Sequence, residues 1–372
     1  MEHKKLGLII NPVAGLGGSV GLKGTDGMVD EALRRGAVPQ AQRRTAAALE
    51  QLLPLKNDLT LLTGPGALGG GLAQSMGFSC AFPDIPFSDT TCADDTRRVA
   101  EWMEEEGADL ILFAGGDGTA RDVCVSVREG TVCLGIPAGV KIHSPVYARS
   151  PASAGQLAAL FLQGKITATD ECEVLDIDEE QYRNEVINTR LYGYLTIPRE
   201  RKYTQNRKCG TPPSAQASMA AIAAKVAAEM EEDTFYLIGA GTTTRAVMEE
   251  LGLPNTLIGV DLVRDRQLVE NDVYGSRIME LTRGGKLKLV VTVTGGQGFL
   301  FGRGNQQLTP EVLRAVGKEN LIILATRDKI FQLRGQPLLV DTGDRELDEM
   351  LAGYYPVITS YYETILCKVS PG

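Results

Sequence analysis

Asp117 sits between Gly116 and Gly118, in the run Gly115-Gly116-Asp117-Gly118-Thr119. The apolar residues Ile111–Ala114 precede it and a helix-compatible stretch follows. Glycines let a backbone come close to a phosphate, and a helix N-terminus offers N–H groups to an anion. A carboxylate suits such a place only if it takes a proton, holds a metal or grips a ribose. The bland alternative for Asp117 is a helix cap. Asp122, five residues on, is a candidate magnesium ligand or a first-turn acid favoured by the helix dipole. Lys141 and His143 follow a further glycine turn at Gly139. Lys141 suits phosphate as a point charge, and His143 reads as a hydrogen-bonded structural histidine.

Other glycine turns follow other apolar runs. Leu6–Ile10 leads into Asn11 and Pro12, with Gly15, Gly17 and Gly18 behind them. Thr234–Ile238 leads into Gly239-Ala240-Gly241-Thr242-Thr243-Thr244, a second phosphate-type turn. Leu287–Val293 leads into a loop over 295–307 that holds five glycines, Arg303 and four side-chain amides, among them Asn305. Amides that dense suit reading a base or ribose edge; a tight structural loop fits as well.

The ordered set resembles the superfamily of NAD kinases, diacylglycerol and sphingosine kinases and 6-phosphofructokinases, through Gly-Gly-Asp-Gly-Thr at 115–119. With Gly135-Ile136-Pro137-Ala138-Gly139, Gly259-Val260-Asp261 and the loop 295–307, it is similar to the acetoin-catabolism-type branch of predicted ATP- or polyphosphate-dependent NAD kinases. The resemblance implies phosphoryl transfer from ATP or polyphosphate to the 2′-hydroxyl of NAD. Asp117 would take or orient the acceptor proton, while Gly115, Gly116, Gly118 and Thr119 cradle the donor phosphates. Asn11, Pro12, Gly15, Gly17, Gly18, Gly139, Lys141, Gly241, Thr242, Thr243, Arg303 and Asn305 are the further candidates for nucleotide or phosphate. Magnesium would be held mainly by the phosphates, with Asp122 as a candidate ligand. Asn184-Glu185 matches the pair that grips ribose in NAD kinases only as an isolated dipeptide. The alternatives are a kinase of the superfamily acting on another small alcohol or a lipid, and a nucleotide-binding regulator without turnover.

These turns need a sheet to hold them. Short, continuously apolar runs alternating with helical patterns over the first 150 residues predict a doubly wound parallel α/β sheet. A second domain, 151–372, is expected to carry strands at about 168–198 and 336–370 around a further α/β glycine-loop region at about 212–335. Cys172–Ile177 and Leu191–Ile197 read as an antiparallel pair, and Thr256–Val260 as a strand. Arg199, Arg201, Lys202, Arg207 and Lys208 mark a linker or lid.

The chain has 372 residues, 43% hydrophobic and 23% charged, with a net charge of −9. Such an acidic balance argues against nucleic acid or an anionic membrane as partner. No apolar run reaches the roughly 20 residues that span a bilayer. The first residues read as the start of a strand rather than a signal peptide, and the seven cysteines read as reduced thiols. A cytoplasmic homo-oligomer with nucleotide substrates is expected.

Overall fold

The computed structural model describes residues 3–22, 24–25, 27–87, 91–140, 142–177, 189–200, 202–205 and 215–372. Five strands open the chain: β1 (Lys4–Ile10), β2 (Leu59–Thr63), β3 (Ser79–Ala81), β4 (Leu110–Gly115) and β5 (Cys133–Pro137). All neighbours pair in parallel, in the order β3-β2-β1-β4-β5. The apolar runs are continuous because both faces are covered. Leu6, Leu8, Ile10, Leu110 and Leu112 point into one core, with α2 (Ala41–Glu50) over it. Ile9, Ile111 and Phe113 point into the other, under α4 (Ala93–Glu105) and α5 (Asp117–Cys124). Two short helices, α1 (Val29–Arg34) and α3 (Gly70–Ser75), complete this part. The doubly wound parallel sheet is therefore present as expected.

The core does not divide at residue 150. α6 (Pro151–Leu162) buries Ala154, Leu157, Ala158 and Leu162 with the strand residues of the first core. β6 (Thr169–Ile177) and β7 (Thr189–Pro198) pair antiparallel, as expected, and put Val174, Leu195 and Ile197 into the second core. Both elements thus extend the first body.

The second body begins with α7 (Gln216–Ala228) and β8 (Thr234–Gly239). α8 (Thr242–Glu250), β9 (Val260–Arg264), β10 (Gln267–Glu270), α9 (Gly275–Leu281) and β11 (Lys286–Thr292) follow. Then come β12 (Phe299–Phe301), α10 (Pro310–Val316), β13 (Leu321–Leu324), α11 (Arg327–Gln332) and β14 (Leu338–Val340). α12 (Arg345–Leu351), β15 (Gly353–Ile358) and β16 (Thr364–Pro371) end the chain. The strands form one mixed nine-stranded sheet in the order β10-β9-β8-β11-β13-β15-β16-β14-β12. The strand expected over Thr256–Val260 begins only at Val260. Asp261 draws the preceding residues into a loop, accepting from the Thr256 amide and hydroxyl at 2.8 Å each. Thr309 caps α10 through the Val312 amide, with Pro310 in the first turn. Among the described residues no helix is long and apolar enough to cross a membrane.

Candidate active site

Strand order reverses at β1 and β4, so the crevice beyond their carboxyl ends is the place for a ligand. A cavity of about 460 Å³ lies there, lined by Asn11–Gly15 after β1 and Gly116–Thr119 after β4, with Gly139 and Val140 beyond β5. Its size falls in the ordinary range for small-molecule sites. The turns touch. A side chain at Gly139 would come within 2.5 Å of the Gly116 Cα. One at Gly15, whose φ is +76°, would come within 2.1 Å of the Ala138 carbonyl. Pro12 cannot extend the ladder, and Asn11 closes the two turns together by donating from Nδ2 to Thr119 Oγ1 at 3.1 Å. Tyr147 packs edge-on against Phe113 and donates to the Gly116 carbonyl, which fixes the turn from below.

Asp117 is the first residue of α5 and only 5% exposed. Its carboxylate does not cap its own helix. It reaches across to the segment after β5 and accepts four hydrogen bonds there. Oδ2 accepts from the His143 amide at 2.7 Å and lies 3.3 Å from His143 Nδ1. Oδ1 accepts from the Ser144 amide at 3.1 Å and the Ser144 hydroxyl at 2.6 Å. A buried charge needs such partners, and two backbone donors fix its position to a fraction of an ångström. Ser144 is held in turn by Leu175 of β6, whose amide donates to its hydroxyl at 2.9 Å. The ribbon thereby reaches the site.

Two further carboxylates line the cavity, and each meets an arginine. Asp122 Oδ1 takes Arg97 Nη2 at 2.7 Å and Nε at 3.1 Å. Asp176 takes Arg121 Nη1 at 2.8 Å. These pairs reduce the local negative charge, which otherwise would repel a phosphate. Tyr192, on β7, lines the opposite wall and is 39% exposed. Arg121 and Arg190 lie over its ring at 5.6 and 5.3 Å from the centroid. A partly exposed aromatic ring with arginines over it suits a nucleobase and its phosphates.

Residues 6–166 match the family model of the ATP-NAD kinase N-terminal domain, and residues 232–369 that of the ATP-NAD kinase C-terminal domain. The chain belongs to the NAD kinase superfamily. No curated protein and no solved structure matches it. Its two family domains are those of a phosphotransferase, with ATP and NAD as the substrates at family level.

For this member of the NAD kinase superfamily, the cleft gathers Asn11, Pro12, Gly15, Gly116, Asp117, Gly118, Thr119 and Gly139 from among the expected residues. Gly17, Gly18 and Gly115 lie behind it and serve close packing, Gly115 against Thr119 and Gly18 against Gln306. Gly241, Thr242 and Thr243 do not line this cavity; they sit at the carboxyl end of β8, where the Thr243 hydroxyl accepts from Lys329 at 3.0 Å. Arg303 and Asn305 do not line this cavity either. Arg303 is buried against Asp341, and Asn305 spans the Gly302 amide and the Leu300 carbonyl of its own loop. Asp122 lines the cavity, with its Oδ1 engaged by Arg97. Lys141, Asn184-Glu185, Arg201, Arg207 and Lys208 lie outside the described residues. His143 is the buried, hydrogen-bonded histidine expected. Sequence reasoning missed Ser144, Asp176 and Tyr192. Asp176, at the end of an apolar strand, and the alternating Leu191-Tyr192-Gly193-Tyr194 were the available signals.

Proposed function

We propose that this cleft transfers a phosphoryl group from ATP or polyphosphate to the 2′-hydroxyl of NAD. The observation that carries the reading is the convergence of Asp117, Thr119 and Asn11 on one cavity at the switch point of a chain matching both NAD kinase domains. Phosphoryl transfer asks little covalent help of a protein and much positioning. The first turn of α5 and the Thr119 hydroxyl face the donor phosphates. Asp117 orients the acceptor hydroxyl. The longest of its four contacts, to His143 Nδ1, is the one an incoming hydroxyl replaces, leaving both amides in place. Tyr192 offers its face to a base.

Magnesium fits this site as a companion of the phosphates, not as the occupant of a protein cage. Among the described residues no group of three or more acidic, histidine or cysteine side chains could hold a metal ion. A nucleotide-bound magnesium needs only one or two carboxylates, and Asp117 lines the cavity. When bound, the ion neutralises charge on the transferring phosphate. The test incubates the purified protein with magnesium, ATP or polyphosphate and a panel of alcohols including NAD, with products read by mass spectrometry. NADP is the expected product. Phosphorylation of a non-nucleotide alcohol alone would remove NAD as acceptor and keep the transferase class.

A further inference from the structure

The described residues of the segment 138–148 supply every hydrogen bond that the described residues give to the Asp117 carboxylate, and they lie outside every named helix and strand. Two of the segment's carbonyls are met from the second body. Gln306 Nε2 donates to the Val140 carbonyl at 2.6 Å, and the Gly304 amide to the same oxygen at 3.3 Å. Gln297 Nε2 donates to the Ile142 carbonyl at 3.0 Å, one residue before the His143 amide. The flanks are pinned as well. Arg303 Nη2 donates to the Arg149 carbonyl at 2.9 Å, and Arg44 Nε to the Pro137 carbonyl. Both arginines meet on Asp341, at the end of β14.

We propose that the glycine-rich loop 295–307 and the Arg44–Asp341–Arg303 triad form a template that sets the backbone at 140 and 142–144, and through it the position of Asp117. Gln297, Gln306 and Arg303 are then positioning residues. The amide-rich loop reads no ligand edge; it reads this chain's own carbonyls. A backbone amide points opposite to the carbonyl preceding it in the same peptide plane. Fixing the Ile142 carbonyl therefore aims the His143 amide at Asp117. The glycines of the loop let it lie close enough for side-chain amides to reach main-chain oxygens. The Gln205 side chain completes the set by donating to the Ser144 carbonyl at 2.8 Å.

The inference rests on Asp117 as the residue that meets the acceptor, so its test has one readout independent of turnover. Gln297→Leu replaces the carboxamide that donates to the Ile142 carbonyl with an apolar side chain of similar size; Gln306→Leu is the second variant should the first not fold. Amide exchange at residues 142–144 should quicken about tenfold, with β1 and β4 unchanged. At equal folded fraction, kcat should fall about tenfold while the donor KM stays within about threefold. Exchange unchanged at 142–144, or quickened equally throughout the first sheet, overturns the template. Unchanged kcat per folded molecule overturns it too. Local quickening in a protein whose parent phosphorylates nothing supports the template and removes the transferase reading.

Discussion

Asp117→Asn separates a carboxylate that reacts from one that only ties two segments together. Asparagine has one oxygen where aspartate has two, and all four donors around it come from His143 and Ser144. If the new amide faces Ser144, the hydroxyl can turn to accept, since the Leu175 carbonyl stands ready for its proton at 2.8 Å. The Ser144 amide has no such freedom and is left facing a donor. If the new amide faces His143, that amide is stranded instead. Either way one buried N–H loses its partner, at a cost of about 1–3 kcal/mol, and the remaining bonds lose their charge assistance. We expect a loss of about 2–3 kcal/mol by denaturant titration. A simple helix cap predicts less than about 1 kcal/mol, because asparagine caps as well as aspartate. Turnover tests the chemistry separately. Loss of a general base typically removes about 10²–10⁴-fold, so the folded variant should turn over at least about a hundredfold more slowly. Turnover within a few-fold of the parent, at equal folded fraction, would refute the role in proton transfer. Unchanged stability would refute the four-donor geometry.

Cys92 is exposed and lines the cavity, so ATP or NAD should slow its alkylation, read by peptide mass spectrometry, without protecting the other thiols. Burial pushes the Cys172 thiol up to about 11, so it should label slowly with or without nucleotide. Tyr192→Ala should raise the KM of one nucleotide about tenfold with little change in stability, because the ring is partly exposed and stacking on a base is worth about 1–3 kcal/mol. For Asp341, burial pushes the carboxyl up, but Arg44 and Arg303 outweigh it and hold it below its usual 3.8. The unfolded chain then takes the proton first as pH falls. The triad's contribution is complete above 3.8 and is lost as pH drops through the depressed folded value. The stability gap between parent and Asp341→Asn, followed by urea titration, should therefore shrink in acid; a gap that widens would contradict the ion triad.

The first sheet was legible because its strands are buried on both faces and each ends in a turn signal. Leu59–Thr63 and Leu338–Val340 keep to their runs in the sequence, since a glycine turn or a polar residue follows each. The turn at 115–119 was legible for the same reason. What escaped was tertiary. Arg303 looks like a phosphate ligand because an arginine in a glycine loop commonly is one. Only the fold brings Asp341 and Arg44, from elements far away in the chain, against it. Thr256–Val260 looks like a strand by composition, and a single aspartate gathering local donors overrides that propensity. α12 was missed although Asp344 caps it through the Leu347 amide at 3.0 Å, because no apolar period of useful length follows.

Among the described residues, those lining the cavity all belong to the first body, which raises the question of what the second body is for. The answer lies in the electrostatics of a buried carboxylate. Asp117 depends on its donors, because a carboxylate that loses hydrogen bonds at such depth pays several kcal/mol in desolvation. Those donors are amides of residues 143 and 144, which lie outside every named helix and strand, so no regular ladder holds their orientation. Left to the first body, the Val140 and Ile142 carbonyls would be met by water, and the amides next to them would sample many orientations. The second body replaces that water with fixed side-chain amides. Preorganised dipoles aimed at a charge need no rearrangement when the reaction begins. A phosphoryl transfer that depends on positioning therefore gains from a neighbour that never touches the phosphate.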